Sequence, residues 1–374
     1  MRIALLPDYY LPHIGGMELW TQKIAEQLVK RGHDVTVYAY KTSSCRNSES
    51  RNGLTIKRVG PFWVDRTHSY VLRGASLGVG LPPHLLAEKY DVYLPTYSPL
   101  LLCKMLKRGP VVPIWHGYYG LSYSRHAKGA VKGLARYLVE RTALAQRVDA
   151  LIAVSNQLRE VLMKMNQELD SEEVHVVYGG VDLNEIDSVD NVESKEQICF
   201  IGRFEYDKCP HHVVEAFKMI NKDFPQLRLV MVGGGSMLQN VKEMVGQQPQ
   251  LRDRVEFTGY LFGDEKIRIM KESLLLVRPS IMDAWPLTTL EALACKTPFV
   301  AYDIPPIREQ NEYAEGGLIV DEGDVKGLAD AVKVLIKEPG LAQKMGMMGR
   351  KSTEETFTWE RSVEKLEKVL NDVQ

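Results

Sequence analysis

The stretch IALLPDYYLPHIGGMELWTQKIAEQLVKRGHDVTVYA, residues 3–39, reads as strand, helix and strand in succession. Residues 3–6 are an unbroken apolar run. Residues 18–31 carry Leu19, Ile24, Ala25, Leu28 and Val29 at helical spacing, and Gly32 stops the helix. Residues 34–39 are again apolar and β-branched. This alternation predicts a parallel sheet, because a crossover helix returns the chain to the end of the sheet where the next strand must start.

The same pattern extends outward, with strand-like runs at 91–94, 111–115, 150–154 and 174–177. A second series follows Gly179, at 197–201, 227–232, 255–258, 274–277, 298–301 and 316–320, again with helices between. The expected fold class is α/β, with two Rossmann-like domains whose parallel sheets face each other across a central cleft. The boundaries read as a first domain over 1–180, an acidic linker over 181–196 and a second domain over 197–355. A closing helix over 356–374 can pack back on the first domain. Ligands in open parallel sheets bind beyond the carboxyl ends of the strands, so chemistry is expected in the cleft. Residues 42–52 read as a polar loop.

Composition agrees with ordinary folded domains: 374 residues, 45% hydrophobic and 25% charged. At about 150 residues per domain this is two or three domains, each able to bury a core without disulfide staples. The start lacks a signal peptide's apolar stretch, and no run approaches the roughly 20 apolar residues of a membrane span. Cys45, Cys103, Cys199, Cys209 and Cys295 are scattered, without a C-x-x-C pair, so they read as reduced thiols in a cytoplasmic protein.

The net charge of -1 conceals an asymmetry: residues 1–170 carry +10 and residues 171–374 carry -11. Lys104, Lys107 and Arg108 contribute, as do Arg125, Lys128, Lys132 and Arg136 among Val131, Leu134, Leu138 and Val139. The latter group reads as a basic amphipathic helix suited to an anionic membrane surface at the inner face, against the alternative of a solvated helix face. No basic motif with interleaved aromatics accompanies it, so nucleic acid is not an expected partner.

Two glycine clusters follow strands. Gly15 and Gly16 precede the first helix, where paired glycines permit positive φ and let backbone N–H groups approach an anion. Gly233-Gly234-Gly235 lacks the third glycine of a dinucleotide fingerprint, position 238 being Leu, and no G-x-x-x-x-G-K-[ST] occurs. NAD and a P-loop nucleotide are both rejected.

The second half holds Ile201-Gly202-Arg203-Phe204-Glu205-Tyr206-Asp207-Lys208, and then Pro279-Ser280 leading to Asp283-Ala284-Trp285-Pro286-Leu287-Thr288-Thr289-Leu290-Glu291. Trp115-His116-Gly117 follows a strand of the first half. With the Pro12-x-x-Gly15-Gly16 turn, this ordered set resembles a retaining glycosyltransferase of family 4 with the GT-B fold, over nearly the whole chain.

The resemblance implies a nucleotide-sugar donor on the second domain and an acceptor on the first. It implies that Arg203 and Lys208 neutralise the leaving diphosphate, aided by backbone donors of Gly15 and Gly16. His116 and Asp283 would contact the donor sugar and Glu291 the ribose, with Leu287 and Thr288 beside the nucleotide. The family's usual Glu is Asp283 here, and Phe-Gly is Trp285-Pro286, whose proline lacks an N–H.

No Asp-x-Asp occurs, so protein cations are expected in place of a metal, and no cofactor beyond the UDP- or GDP-sugar. The expected reaction moves a hexose, with retention, to a lipid-linked or saccharide hydroxyl. A non-catalytic sugar-nucleotide binder and an epimerase or phosphorylase relative are the alternatives.

Overall fold

A computed structural model describes residues 1–8, 10–12, 15–42, 45–60, 81–96, 99–100, 103, 109–117, 130–190 and 196–374, with backbone only for 130–136. The chain forms two compact units, Met1–Gly179 with Trp359–Gln374, and Gly180–Thr358.

In the first unit, β1 (Arg2–Leu6) lies between β2 (Asp34–Tyr40) and β5 (Val92–Pro95), parallel to both. Outside β2 come β4 (Leu54–Val59), parallel, and β3 (Ser48–Arg51), antiparallel to β4. A three-stranded parallel sheet of β6 (Ile114–Trp115), β7 (Leu151–Ala153) and β8 (Val174–Val176) joins this sheet at a parallel bridge between Tyr93 and Val111. Helices α1 (Gly16–Lys30), α2 (Ala130–Leu144) and α3 (Asn156–Met165) belong to this unit. Ile3, Ala4, Leu5 and Leu6 are all buried, as expected of a strand covered on both faces.

The β3–β4 hairpin corrects the reading of 42–52 as a loop. Asn52 and Gly53 both take positive φ, 52° and 78°, the conformation that a two-residue hairpin turn requires. β3 is mostly exposed and polar, so its composition imitates a loop.

The second unit holds a six-stranded sheet in the order β11-β10-β9-β12-β13-β14. Its strands are β9 (Gln197–Ile201), β10 (Arg228–Val232), β11 (Val255–Gly259), β12 (Leu276–Arg278), β13 (Phe299–Tyr302) and β14 (Gly317–Val320), all parallel. Alternate residues feed two cores: Ile198, Phe200, Leu229 and Met231 enter one, while Cys199, Ile201, Val230 and Val232 enter the other. Both faces are therefore covered, by helices α4 (Leu183–Ser188), α5 (Pro210–Ile220), α6 (Leu238–Gly246), α7 (Gly263–Glu272), α8 (Leu287–Ala294), α9 (Pro305–Ala314), α10 (Val325–Lys337) and α11 (Pro339–Thr356).

One boundary differs from the sequence reading. Part of the expected linker is α4, which packs on α7 and α8 and is pinned where Arg350 donates to both carboxylate oxygens of Asp187 at 2.8 Å. The closing helix α12 (Trp359–Asp372) belongs to the first unit. It buries Trp359, Val363, Leu366, Val369 and Leu370 on one face and packs on α1. Three polar contacts fix its register. Gln27 donates to Glu360 at 3.0 Å, Arg31 to Glu367 at 2.5 Å, and His33 pairs with Glu367 at 2.7 Å.

Candidate active site

The turn after β9 is shaped by backbone packing. Gly202 N–H donates to Val232 O at 3.0 Å and Phe204 N–H to Gly234 O at 2.8 Å, tying this turn to the glycine cluster after β10. A Cβ on Gly233, at φ 129°, would lie 2.0 Å from Gly202 O, and one on Gly235, at φ 153°, 2.6 Å from Phe204 O. Gly233 and Gly235 thus serve close approach between two loops. Glu205 locks the pair by accepting from Ser236 N–H at 3.0 Å and Ser236 Oγ at 2.6 Å.

This packing sets Arg203 and Lys208 at the carboxyl end of the sheet. Arg203 is 57% exposed and stands 3.8 Å from Asp207. Lys208 ends a single 3₁₀ turn and is only 9% exposed. Its ammonium donates to Met282 O at 2.5 Å and Asp283 Oδ1 at 2.8 Å, and lies 3.0 Å from Asp207 Oδ2.

Asp283 is 14% exposed, and its second oxygen accepts from Arg278 Nη2 at 2.9 Å. Burial alone would raise this carboxyl, but the Arg278 guanidinium and the Lys208 ammonium outweigh it and hold the acid well below the usual carboxylate range. Arg278, 6% exposed, also donates to Ile201 O at 3.1 Å. Sequence reasoning missed Arg278 because it is the last residue of a buried strand. Its available signal was a charge directly before Pro279-Ser280 in an otherwise apolar run.

Glu291 sits on α8 beside the buried Leu290 and Ala292. Lys266 of α7 donates to its Oε1 at 2.6 Å, a partner that sequence spacing did not reveal. The helix begins at Leu287, so Asp283 and Glu291 do not share one helix. Leu287 and Thr288 open α8 behind Pro286, which gives no side-chain cap, so their backbone N–H groups lack intrahelical acceptors. The Trp285-Pro286 entry is held firmly: Pro286 O accepts from Thr289 Oγ1 at 2.8 Å and from Gln310 Nε2 at 3.0 Å, and the Trp285 ring lies 5.5 Å from Phe357.

Gly15, Gly16 and His116 belong to the first unit. The expected positive φ is not used. Gly15 is extended at φ -179°, and a Cβ there would meet the Glu18 carboxylate at 2.5 Å. Gly16 begins α1, and among the described residues a Cβ there would meet nothing within 4 Å. Arg58 of β4 holds the preceding turn by donating to Leu11 O at 2.8 Å, and pairs with Glu49 of β3 at 2.6 Å. The hairpin absent from the sequence reading therefore supports the glycine turn.

His116 follows β6 and is buried, edge-on to the Trp20 ring of α1 at 5.0 Å. Burial pushes its imidazole down to about 3, so it is neutral at physiological pH. Arg125 and Lys128 lie outside the described residues, as do Lys104, Lys107, Arg108 and the side chains of Lys132 and Arg136. Among the described residues, no group of His, Cys, Asp and Glu is gathered that could hold a metal ion, and no helix is long and apolar enough to cross a membrane.

The chain has the GT-B fold of the solved structures that it resembles. Sucrose-phosphate synthase from Thermosynechococcus elongatus superposes with a TM-score of 0.82 at 19% identity, covering 100% of this chain and 99% of that one. The Anabaena protein HepE in complex with UDP-glucose gives 0.75 at 17% identity, covering 100% of both.

In sequence, the family model for glycosyl transferases group 1 matches residues 181–352, and that for glycosyltransferase family 4 matches residues 14–185. The chain belongs to the group 1 / family 4 glycosyltransferases. It is 30% identical over 258 residues to the alpha-maltose-1-phosphate synthase of Mycolicibacterium smegmatis, a match spanning 63% of this chain and 66% of that protein.

Proposed function

We propose that this glycosyltransferase moves a hexose from a UDP- or GDP-sugar to a hydroxyl of a lipid-linked or saccharide acceptor, with retention and without a metal. The observation that carries the reading is the cluster at the carboxyl ends of β9 and β12, where Arg203, Lys208 and Arg278 gather around Asp207 and Asp283. The UDP-glucose held by HepE supports the donor class. Cleaving the bond between sugar C1 and the diphosphate leaves charge on the departing oxygens, which cations fixed in advance stabilise. Arg203 supplies a planar fork of donors and Lys208 a point charge.

The acceptor oxygen bonds to C1 on the face that the diphosphate leaves, and its proton passes to a diphosphate oxygen. No protein side chain then changes its charge. Neutral His116 donates through one ring nitrogen to a sugar hydroxyl. Glu291 accepts from the ribose, and the N–H groups of Leu287 and Thr288 donate to the nucleotide. No further cofactor enters.

Calorimetry with UDP and GDP in the presence of EDTA tests this reading. Arg203→Ala should weaken nucleotide binding about ten- to hundredfold, matching the loss of a charge-assisted hydrogen bond worth about 1.5–3 kcal/mol. The reading is abandoned if neither nucleotide binds, or if the transferred sugar emerges with inverted configuration. Binding with neither transfer nor donor hydrolysis across a donor panel would favour a non-catalytic binder.

Contact with the inner membrane face is a separate proposal. It rests on the basic first half and on Leu138 of α2, which is exposed. Sedimentation with anionic vesicles should be salt-sensitive, and should disappear when Arg125, Lys128, Lys132 and Arg136 are neutralised. Undiminished sedimentation of that variant would refute the membrane contact.

A further inference from the structure

We propose that Asp207 is an internal competitor for the donor's diphosphate: its carboxylate occupies the two cations that the diphosphate must engage, and binding exchanges one anion for the other. The inference rests on the reading of Arg203 and Lys208 as the diphosphate site.

One oxygen, Asp207 Oδ2, lies 3.0 Å from Lys208 Nζ and 3.8 Å from Arg203 Nη2, so the two cations share a single carboxylate. An ammonium has three protons to donate. Two of those on Lys208 are committed to Met282 O and Asp283 Oδ1, which leaves one for a ligand, and Asp207 lies against it.

The two acids beside Lys208 differ in kind. Asp283 is the more buried and is hydrogen-bonded to both Lys208 and Arg278, which makes it a fixed counter-ion. Asp207 is the more exposed, at 21%, and its carboxylate has two ion pairs of which neither is an aligned hydrogen bond.

The backbone around Asp207 is nevertheless anchored. Its carbonyl accepts from Ile281 N–H at 3.0 Å, and Lys208 N–H donates to Glu205 O at 3.0 Å. The carboxylate can therefore leave by a side-chain rotation while Arg203 and Lys208 keep their places. A diphosphate oxygen is an anionic acceptor of the same kind, and two anions cannot share these cations without repulsion. Asp207 thus lowers affinity for the nucleoside diphosphate, and re-forms its pairs as that product departs.

Calorimetric titration of the full chain at fixed ionic strength, with UDP, GDP and uridine as probes, tests the exchange. Asp207→Asn should bind whichever nucleotide the wild type prefers five- to tenfold more tightly. Uridine, which has no phosphate, should bind both proteins equally. Asp207→Glu, which restores the carboxylate, should return affinity toward the wild-type value. A thermal melt checks each variant, and Asp207→Ser takes the place of Asp207→Asn if the latter does not fold. If Arg203→Ala weakens nucleotide binding while Asp207→Asn leaves it unchanged or weakens it, the exchange is wrong and the site assignment stands. If wild type and Arg203→Ala both fail to bind UDP and GDP, the site assignment fails and the exchange fails with it.

Discussion

Asp283→Asn is expected to destabilise the second unit by about 3–5 kcal/mol, the range seen when one partner of a buried ion pair is removed. The substitution keeps the shape of the side chain and deletes its charge. Arg278 and Lys208 would then share a nearly dry space as like charges, at 6% and 9% exposure. An amide offers one carbonyl oxygen where the carboxylate offers two, so one of the hydrogen bonds at 2.8 Å and 2.9 Å must be lost.

Hydrogen exchange on β9 and β12 under increasing denaturant measures the change in that unit alone. A loss below about 1 kcal/mol would mean that the cluster contributes no more than a surface pair. The pH dependence carries the same sign. A carboxyl whose folded value is depressed adds stability above its unfolded value, near 3.8, and loses it as the pH falls from there toward the folded value. The wild-type advantage over Asp283→Asn should therefore be full at neutral pH and shrink below about pH 4.

Removal of residues 359–374 is expected to unfold the first unit while leaving the second protected. The helix buries Trp359, Val363, Leu366, Val369 and Leu370, and each such side chain contributes about 1.5–3 kcal/mol on burial. The sum is comparable to the whole stability of a typical domain, about 5–15 kcal/mol. The contacts of Gln27, Arg31 and His33 with Glu360 and Glu367 would be lost as well. Amides of β1 and β2 should exchange freely in the truncated chain, while those of β9 and β10 stay slow. Persistent protection of β1 would show that the unit closes without its last helix. Leu366→Ala, which removes one fully buried side chain, should cost about 2–5 kcal/mol.

The alternation of apolar runs and helical spacing carried most of the architecture, because strands covered on both faces must be apolar throughout. It could not carry β3, whose residues face water and whose identity as a strand lies in the Asn52-Gly53 turn and in pairing with β4. Arg203, Lys208, Asp283 and Glu291 were legible as motif residues. Their partners were not, since Arg278 and Lys266 reach them only through the packing of β12 and α7. The glycine cluster after β10 was legible as a departure from a nucleotide fingerprint. Its purpose, seating one loop against the carbonyls of another, depends on distances that no linear spacing encodes.

The nesting of Gly180–Thr358 inside a unit built from both ends of the sequence governs the order of events on the ribosome. The inserted body can close before Trp359–Gln374 has left the exit tunnel, whereas the first-made strands wait for those residues. A nascent chain therefore exposes the apolar seat of Trp359 and Leu366 for most of translation, and a terminal fusion tag that delays docking prolongs that exposure.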